Sequence, residues 1–312
     1  MNKVVLAPQG FKESLTGMEI AEAMSIGVKS IWPDAQTVLI PVADGGDGTL
    51  QALVDSSGGE VRTAMAEDAI GRTIEAEWGA LGNGTTAVIE VANAIGLARL
   101  EQEERDVRNA STFGVGQLFI EALDAGFSDF IIGVGGSATN DGGAGMIQAM
   151  GGKLTNANGD EIARGGIALS DLANIDVSGL DPRMVGANVV VACDVNNPLC
   201  GTRGASAVFG PQKGATYKDI QELDVALGNF AEIIAKDLHT DVAKIPGAGA
   251  SGGLGAGLMG FFDARLRLGA DIVLEALSLD KHLEDADLVI VGEGQFDRST
   301  VFNKSPVAVA HR

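Results

Sequence analysis

Apolar strand-like segments alternate with helical segments at the start of this chain. Residues 3–7 (KVVLA) and 37–42 (TVLIPV) are short apolar runs typical of buried strands, whereas residues 14–31 and 48–57 have helical hydrophobic spacing. A strand–helix–strand unit joins two parallel strands through a right-handed crossover. The alternation therefore predicts an α/β fold with a parallel sheet.

The middle of the chain carries a different pattern. Residues 61–92 contain short strand segments separated by turn signals, which indicates a partly antiparallel insertion. Further strands are predicted at 129–134, 188–195 and 287–294, and further helices at 111–125, 216–238, 252–264 and 271–279. With 312 residues, of which 46% are hydrophobic, the chain is long enough for two domains or one large α/β domain.

The chain is strongly acidic, with a formal net charge of −20. Such a surface repels the phosphates of nucleic acids and the anionic face of membranes, so neither is an expected partner. The N-terminal apolar run is interrupted by Pro8 and is typical of a first strand rather than a signal peptide. Cys193 and Cys200 are too few for a disulfide framework. These features predict a cytoplasmic protein with reduced thiols.

Polar, glycine-rich turns follow several of the predicted strands. In open parallel sheets, ligands bind at the carboxyl ends of the strands, where such turns would meet. A single Asp-Gly turn is ordinary loop chemistry, but four of them at strand ends favour a binding site. The turns are ADGGDGT (43–49), GGSATNDGGAG (135–145), CDVNNP (193–198) and GEGQFD (292–297).

Two lysines stand in polar, glycine-containing segments of this acidic chain. Lys12 follows the first strand and precedes a helix, and Lys213 lies in FGPQKGA (209–215). An ammonium group held beside glycine-rich backbone and a helix N-terminus suits an anionic ligand. For either lysine taken alone, a solvated surface position is the simpler alternative.

The loop at residues 133–138 (GVGGSA) fits the loose form GxGxxA of a dinucleotide-binding turn. Two features of the surrounding sequence argue against that interpretation. The polar residues Thr139, Asn140 and Asp141 delay the following helix, and Asp160, at the distance expected for a ribose-binding acid, lies in a turn. The chain also lacks the Walker A pattern of P-loop proteins. The interpretation as a NAD-dependent dehydrogenase is therefore the weaker one, and it is kept as an alternative that rests on this loop alone.

Eight segments taken in order resemble the glycerate kinase family whose fold is unrelated to that of P-loop kinases. They extend over nearly the whole chain, and several are long and unusual. The segments are FKESLTGMEIAEAM, PVADGGDGT, GVGGSATNDGGAGM, LDPRM, VACDVNNPL, GASAVFGPQKGA, PGAGASGGLGAG and DLVIVGEG.

The resemblance implies a kinase that transfers the γ-phosphoryl group of ATP, with Mg²⁺, to D-glycerate. This branch resembles enzymes that form 2-phosphoglycerate. It also implies two α/β domains with the active site in the cleft between them. Residues 1–60 and 287–312 would form a flavodoxin-like parallel-sheet domain, and residues 61–286 a mixed α/β domain. A homo-oligomer is compatible with the sequence, which does not fix the number of subunits.

Phosphoryl transfer depends on positioning and charge neutralisation, which suggests roles for the polar residues at the strand ends. The carboxylates predicted to act as metal ligands or as a general base are those of Asp44 and Asp194, and Asp47 and Asp297 are further candidates for metal ligands. The residues predicted to hold the glycerate carboxylate or the γ-phosphate are Lys12 and Lys213. The predicted phosphate contacts are Gly135, Gly136, Ser137, Asn140 and Lys304.

The chain departs from the family pattern in its polar turns. Gln9 and Gly10 stand where the family has an aspartate and a serine, which removes a carboxylate from the first strand end. Gln117 and Asn303 are further departures. A helix begins close to the end of the chain, which predicts a truncated C-terminal part. These departures leave a catalytically impaired glycerate- or nucleotide-binding homologue as an alternative.

Overall fold

The fold is given by a computed structural model that describes residues 1–11, 14–43, 48–295 and 305–312. The first elements are β1 (Lys3–Pro8), α1 (Gly17–Ile31), β2 (Gln36–Leu39), α2 (Thr49–Ser57), β3 (Glu60–Glu67), β4 (Thr73–Ala80), β5 (Thr86–Glu90) and α3 (Ala92–Ile95). The central elements are α4 (Phe113–Asp124), β6 (Asp129–Gly133), α5 (Ala144–Ala149), β7 (Lys153–Thr155), β8 (Asn174–Asp176), β9 (Asn188–Ala192) and α6 (Ala205–Phe209). The last elements are α7 (Tyr217–Asp237), α8 (Ala250–Phe262), β10 (Arg265–Arg267), α9 (Gly269–Ala276), α10 (Leu279–Leu283), β11 (Leu288–Gly292) and α11 (Ser305–His311).

A three-stranded parallel sheet is built from the two ends of the chain. Strand β1 lies in the middle and pairs with β2 on one side and β11 on the other. All six residues of β1 are buried, as expected for a continuous apolar strand in a parallel sheet covered on both faces. Helix α1 connects β1 to β2, and it begins with a capping box between Thr16 and Glu19. The predicted β-α-β start is therefore confirmed.

A six-stranded mixed sheet, in the order β10-β9-β6-β5-β4-β3, occupies the middle of the chain. Strands β3, β4 and β5 are antiparallel neighbours, so the predicted antiparallel insertion is confirmed. Strands β5, β6, β9 and β10 run parallel to one another. Trp78, Phe119 and Phe130 are among the large, fully buried side chains of the core on this sheet.

Helices α2 and α9 join the two sheets. One buried cluster contains Val5 of β1, Leu53 of α2, Val88 of β5 and Val273 of α9. Burying an aliphatic side chain of this size stabilises a fold by about 1.5–3 kcal/mol, so this shared core holds the sheets together. The predicted mixed α/β class is confirmed, and the proposed domain boundaries near residues 60 and 287 stay a prediction.

The carboxyl ends of neighbouring parallel strands lie at the same edge of each sheet. In the six-stranded sheet, Glu90 pairs in register with Gly133, and Gly133 pairs with Ala192. In the three-stranded sheet, Pro8 pairs with Gly292. The loops that follow these strands therefore leave side by side, which is the arrangement that a ligand site in an α/β sheet requires.

Candidate functional site

The loops at the carboxyl edge of the six-stranded sheet enclose a cavity of about 210 Å³. Its walls come from the segments after β6 and β9, from a short 3₁₀ turn at Pro211–Lys213, and from the start of α8. Five of the residues predicted from the sequence to form the site line this cavity together. They are Gly135, Gly136, Ser137, Asp194 and Lys213.

Lys213 is buried in the wall of this cavity, with only 2% of its surface exposed. Its Nζ donates to Ser137 Oγ at 3.1 Å and to the carbonyl of Thr139 at 2.6 Å. No carboxylate among the residues that the structure describes lies within 4.0 Å of this nitrogen. Burial lowers the pKa of Lys213 to about 7, against the opposing effect of the negative charge of Asp141. The cavity therefore contains a buried cation without an ion-pair partner in the described chain.

The glycine-rich loop after β6 presents its backbone to the cavity. Gly136 has a φ of +70°, a conformation that favours glycine. The loop is held on its far side, because the Leu97 N–H donates to the Gly136 carbonyl and the Ala138 N–H donates to the Ile95 carbonyl. The N–H groups of Gly135 to Ser137 donate no hydrogen bond to another described residue. They are therefore free to bind an anion.

Asp141 supports this loop from inside the protein. It is fully buried, and its carboxylate accepts hydrogen bonds from the Thr112 N–H, the Thr112 hydroxyl, and the N–H groups of Gly143 and Gly145. Burial raises the pKa of Asp141, and these hydrogen bonds lower it in part. Asp141 therefore fixes the turn between the cavity and α5, and it does not line the cavity.

The hydroxyl of Thr112 makes a directly testable contribution to this support. It donates to Asp141 at 2.9 Å and accepts from the Met146 N–H at 2.9 Å. Thr112→Val keeps the shape but removes both bonds, so we expect the free energy of unfolding in urea to fall by about 1–3 kcal/mol. Thr112→Ser keeps the hydroxyl and should lose less than half of that. A Thr112→Val variant as stable as the wild type would show that the hydroxyl does not support the turn.

Asn140 lies behind the cavity rather than in its wall. It is fully buried, and its Nδ2 donates to the Ser206 hydroxyl at 3.0 Å. Its Oδ1 has no hydrogen-bond partner among the described residues. This position ties the loop to α6, and the predicted contact of Asn140 with phosphate stays a prediction.

Asp194 follows β9 and lines the same cavity as the glycine-rich loop. Its Oδ1 accepts a hydrogen bond from the N–H of Gly269 at 2.9 Å, the first residue of α9. This bond at a helix N-terminus favours the charged carboxylate. Cys193 beside it has a free thiol, and burial raises the pKa of that thiol. Among the described residues that line this cavity, Asp194 is therefore the one that carries a carboxylate.

Ser251 is a cavity residue to which the sequence analysis assigned no role. It lies at the start of α8 with φ +54° and ψ +41°, and Gly252 and Gly253 after it also have positive φ. The predicted helix 252–264 therefore begins with residues in the left-handed conformation. The Ser251 hydroxyl is shielded from solvent and has no hydrogen-bond partner among the described residues. A non-glycine residue in this conformation is strained, and such strain occurs often at functional sites.

A second cavity of about 380 Å³ lies at the carboxyl ends of β1 and β2. Gln9 and Gly10 line it, together with Thr16, Gly48 and Asp55. The Gln9 N–H donates to the Gly292 carbonyl at 2.8 Å, and Gln9 also bridges to Val42. The residue that departs from the family pattern therefore lies where the ends of the three strands meet.

Glu90 connects the start of α2 to the edge of the six-stranded sheet. It is the last residue of β5, and its Oε1 accepts a hydrogen bond from the N–H of Leu50 in the first turn of α2 at 2.9 Å. A carboxylate at a helix N-terminus is stabilising. The N-terminus of α2 is therefore held at the carboxyl end of β5.

The remaining predicted site residues lie outside the part of the chain that the structure describes. They are Lys12, Asp44, Asp47, Asp297 and Lys304, and Asn303 lies there as well. Among the described residues, no group of three or more His, Cys, Asp or Glu side chains is placed to hold a metal ion. No helix in this part of the chain is long and apolar enough to cross a membrane.

A buried cation and a glycine-rich loop at the strand ends of a mixed α/β fold are typical of a binding site for a small anion. The profile of the glycerate kinase family matches residues 4–312. The chain belongs to the glycerate kinase family.

Three relatives illustrate the match. Glycerate 2-kinase of Escherichia coli K12 is 50% identical over 99% of this chain and 81% of its own length. Glycerate kinase of Halalkalibacterium halodurans is 51% identical over 99% of this chain and 82% of its own length. A crystal structure from Salmonella typhimurium LT2, provisionally assigned as glycerate kinase 2, superposes with a TM-score of 0.96 at 49% identity, covering 99% of this chain and 83% of that one. The expected truncation is not borne out by these matches, which run along 99% of the chain.

Proposed function

We propose that this chain is a glycerate kinase that transfers the γ-phosphoryl group of ATP to D-glycerate and forms 2-phosphoglycerate. The observation that carries the proposal is the family match from residue 4 to residue 312. The name of the Escherichia coli relative, glycerate 2-kinase at 50% identity, supports the choice of product. We also propose that it acts in the cytoplasm, and a homo-oligomer stays a prediction.

The cavity supplies what phosphoryl transfer needs from a protein, which is mainly positioning and neutralisation of charge. The chain has a net charge of −20, so an anionic substrate needs local positive groups. Lys213 provides one cation, and the free N–H groups of Gly135 to Ser137 provide further donors. The burial of Lys213 strengthens its interaction with an anion, because the local dielectric constant around a buried group is low.

Asp194 is our candidate for contact with the reacting groups. Its carboxylate is oriented by the Gly269 N–H and lies in the same cavity as Lys213. Mg²⁺ is typically held by one or two carboxylates together with substrate phosphates, and Asp194 fits that donor chemistry. A bound Mg²⁺ would neutralise charge on the transferred phosphoryl group. Asp44, Asp47 and Asp297 are proposed as further ligands, and Lys12 and Lys304 as further cations near the phosphates.

The dehydrogenase alternative is not favoured by the fold. Helix α5 begins only at Ala144, well after the GVGGSA stretch of residues 133–138. The peptide N–H groups of this loop therefore do not open a helix beneath a dinucleotide, as the GxGxxA pattern requires.

Steady-state kinetics tests the proposal. We expect purified protein to release ADP from ATP only when D-glycerate is present, and Asp194→Asn to lower kcat by about 100-fold or more, in line with the loss of a transition-state charge interaction. Asp160→Asn, in an exposed turn, is the matched control and should retain wild-type kcat. A wild-type protein that binds glycerate or nucleotide without releasing ADP would instead be the catalytically impaired homologue. Full activity of Asp194→Asn would remove Asp194 from the site.

A further inference from the structure

The 210 Å³ cavity is lined by one buried cation, Lys213, and by one carboxylate among the described residues, Asp194. A buried charge is normally paired, because an unpaired one loses its hydration without compensation. Lys213 has hydrogen bonds to Ser137 and Thr139 but no carboxylate partner in the described chain. An anionic ligand in the cavity would supply the missing partner.

Several residues that line the cavity carry hydrogen-bond donors without a partner in the described chain. Ser251 lines the cavity, and its hydroxyl, which is shielded from solvent, has no partner among the described residues. Gly135, Gly136 and Ser137 also line the cavity, and their N–H groups donate no hydrogen bond to another described residue. Apolar side chains, among them Val134, Ala192 and Phe209, make up much of the remaining wall.

The size of the cavity distinguishes between the two anionic substrates of a glycerate kinase. Pockets for drug-sized ligands measure roughly 300–1,000 Å³, and this cavity, at about 210 Å³, does not have room for a whole nucleotide. A single lysine also matches the single charge of a carboxylate better than the several charges of a triphosphate. A three-carbon hydroxy acid meets both conditions.

We propose that this cavity contains the acceptor subsite, in which Lys213 and Ser251 bind the carboxylate of D-glycerate, while the adenosine part of the nucleotide lies outside the cavity. The proposal rests on the glycerate kinase function proposed above. It makes Ser251 a specificity-determining residue, with the strained backbone at residues 251–253 directing its hydroxyl to the carboxylate. It also explains how a neutral alcohol such as glycerol would be rejected, because Lys213 would then stay unpaired.

Isothermal titration calorimetry tests the assignment through binding rather than turnover. D-glycerate is titrated into the protein alone and with a saturating non-hydrolysable ATP analogue, and the analogue is titrated separately. We expect Lys213→Met to weaken D-glycerate binding by 100-fold or more and to change the affinity for the analogue by less than threefold. Lys218→Met removes an exposed lysine of α7 and should change neither affinity.

Two serine variants separate the hydroxyl from the backbone strain. Ser251→Ala and Ser251→Gly both remove the hydroxyl, so we expect each to weaken D-glycerate binding by about tenfold or more. Only Ser251→Gly relieves the left-handed conformation, so its melting temperature should exceed that of Ser251→Ala. If the role of Ser251 were purely structural, the variant with the higher melting temperature would also bind D-glycerate more tightly.

The results that would overturn the assignment are distinct from failure of the proposed function. If Lys213→Met weakens binding of the ATP analogue but leaves the affinity for D-glycerate unchanged, the cavity binds phosphate rather than the acceptor. If neither affinity changes, or if the wild type fails to bind D-glycerate, the cavity is not an acceptor subsite. If the wild type binds D-glycerate through Lys213 and Ser251 but releases no ADP, the subsite stands and the kinase function fails.

Discussion

Between about pH 7.5 and 9.5, the free energy of unfolding of the wild type is expected to rise by about 2–3 kcal/mol relative to that of Lys213→Met. Burial lowers the pKa of Lys213 from 10.5 to about 7 in the folded chain. The unfolded chain therefore binds more protons than the folded chain between these two values, so stability rises with pH across that window. The gain is lost as the pH falls through about 7, where Lys213 is charged in both states.

Urea unfolding of the ligand-free proteins at several pH values measures this difference. Other groups near Lys213, namely Asp141, Asp194 and Cys193, are present in both proteins, so subtraction removes most of their contribution. Lys218→Met is the matched control and should give a curve parallel to that of the wild type. Parallel curves for the wild type and Lys213→Met would show that Lys213 is not buried as described.

Replacing Gly252 with alanine is expected to destabilise the fold by more than about 3 kcal/mol. A Cβ at this position would lie 2.0 Å from the carbonyl oxygen of Thr139 and 2.6 Å from the Cα of Asn140, and the residue has φ +67°. Both contacts are with backbone atoms, so no side-chain rotation can relieve them. Because the Thr139 carbonyl also accepts a hydrogen bond from Lys213, a shift of this loop would misplace the buried cation.

Gly228→Ala provides the comparison for this substitution. Gly228 lies inside α7, and a Cβ there would meet no atom within 4 Å. Alanine is favoured over glycine in a helix interior by about 0.5–1 kcal/mol, so Gly228→Ala should be slightly more stable than the wild type. Equal stability of Gly252→Ala and the wild type in urea would contradict the close packing of α8 on the glycine-rich loop.

The sequence located much of the site because parallel strands have a simple geometry. Apolar runs that end in polar turns were enough to predict that the segments after β6 and β9 meet, and Ser137 and Asp194 do line one cavity. The family resemblance is confirmed by the match over residues 4–312.

The burial of Lys213 and the role of Ser251 could not be obtained from the sequence in the same way. A lysine between glutamine and glycine is usually exposed, and only the packing of the 3₁₀ turn at Pro211–Lys213 against the glycine-rich loop buries it. Ser251 lies in a small-residue segment that predicts a helix, and its positive φ depends on contacts with residues 139–142. Asn140 was predicted as a phosphate contact from its neighbours in sequence, although the loop turns its side chain toward Ser206.

Phosphorus NMR tests the central claim most directly. Purified protein is incubated with ATP, Mg²⁺ and D-glycerate, and the ³¹P spectrum is followed with time. The account predicts loss of the γ-phosphate signal and equal growth of a phosphomonoester signal coupled to the single proton on C2, which identifies 2-phosphoglycerate. A spectrum in which ATP stays unchanged, or in which only inorganic phosphate forms, would contradict it.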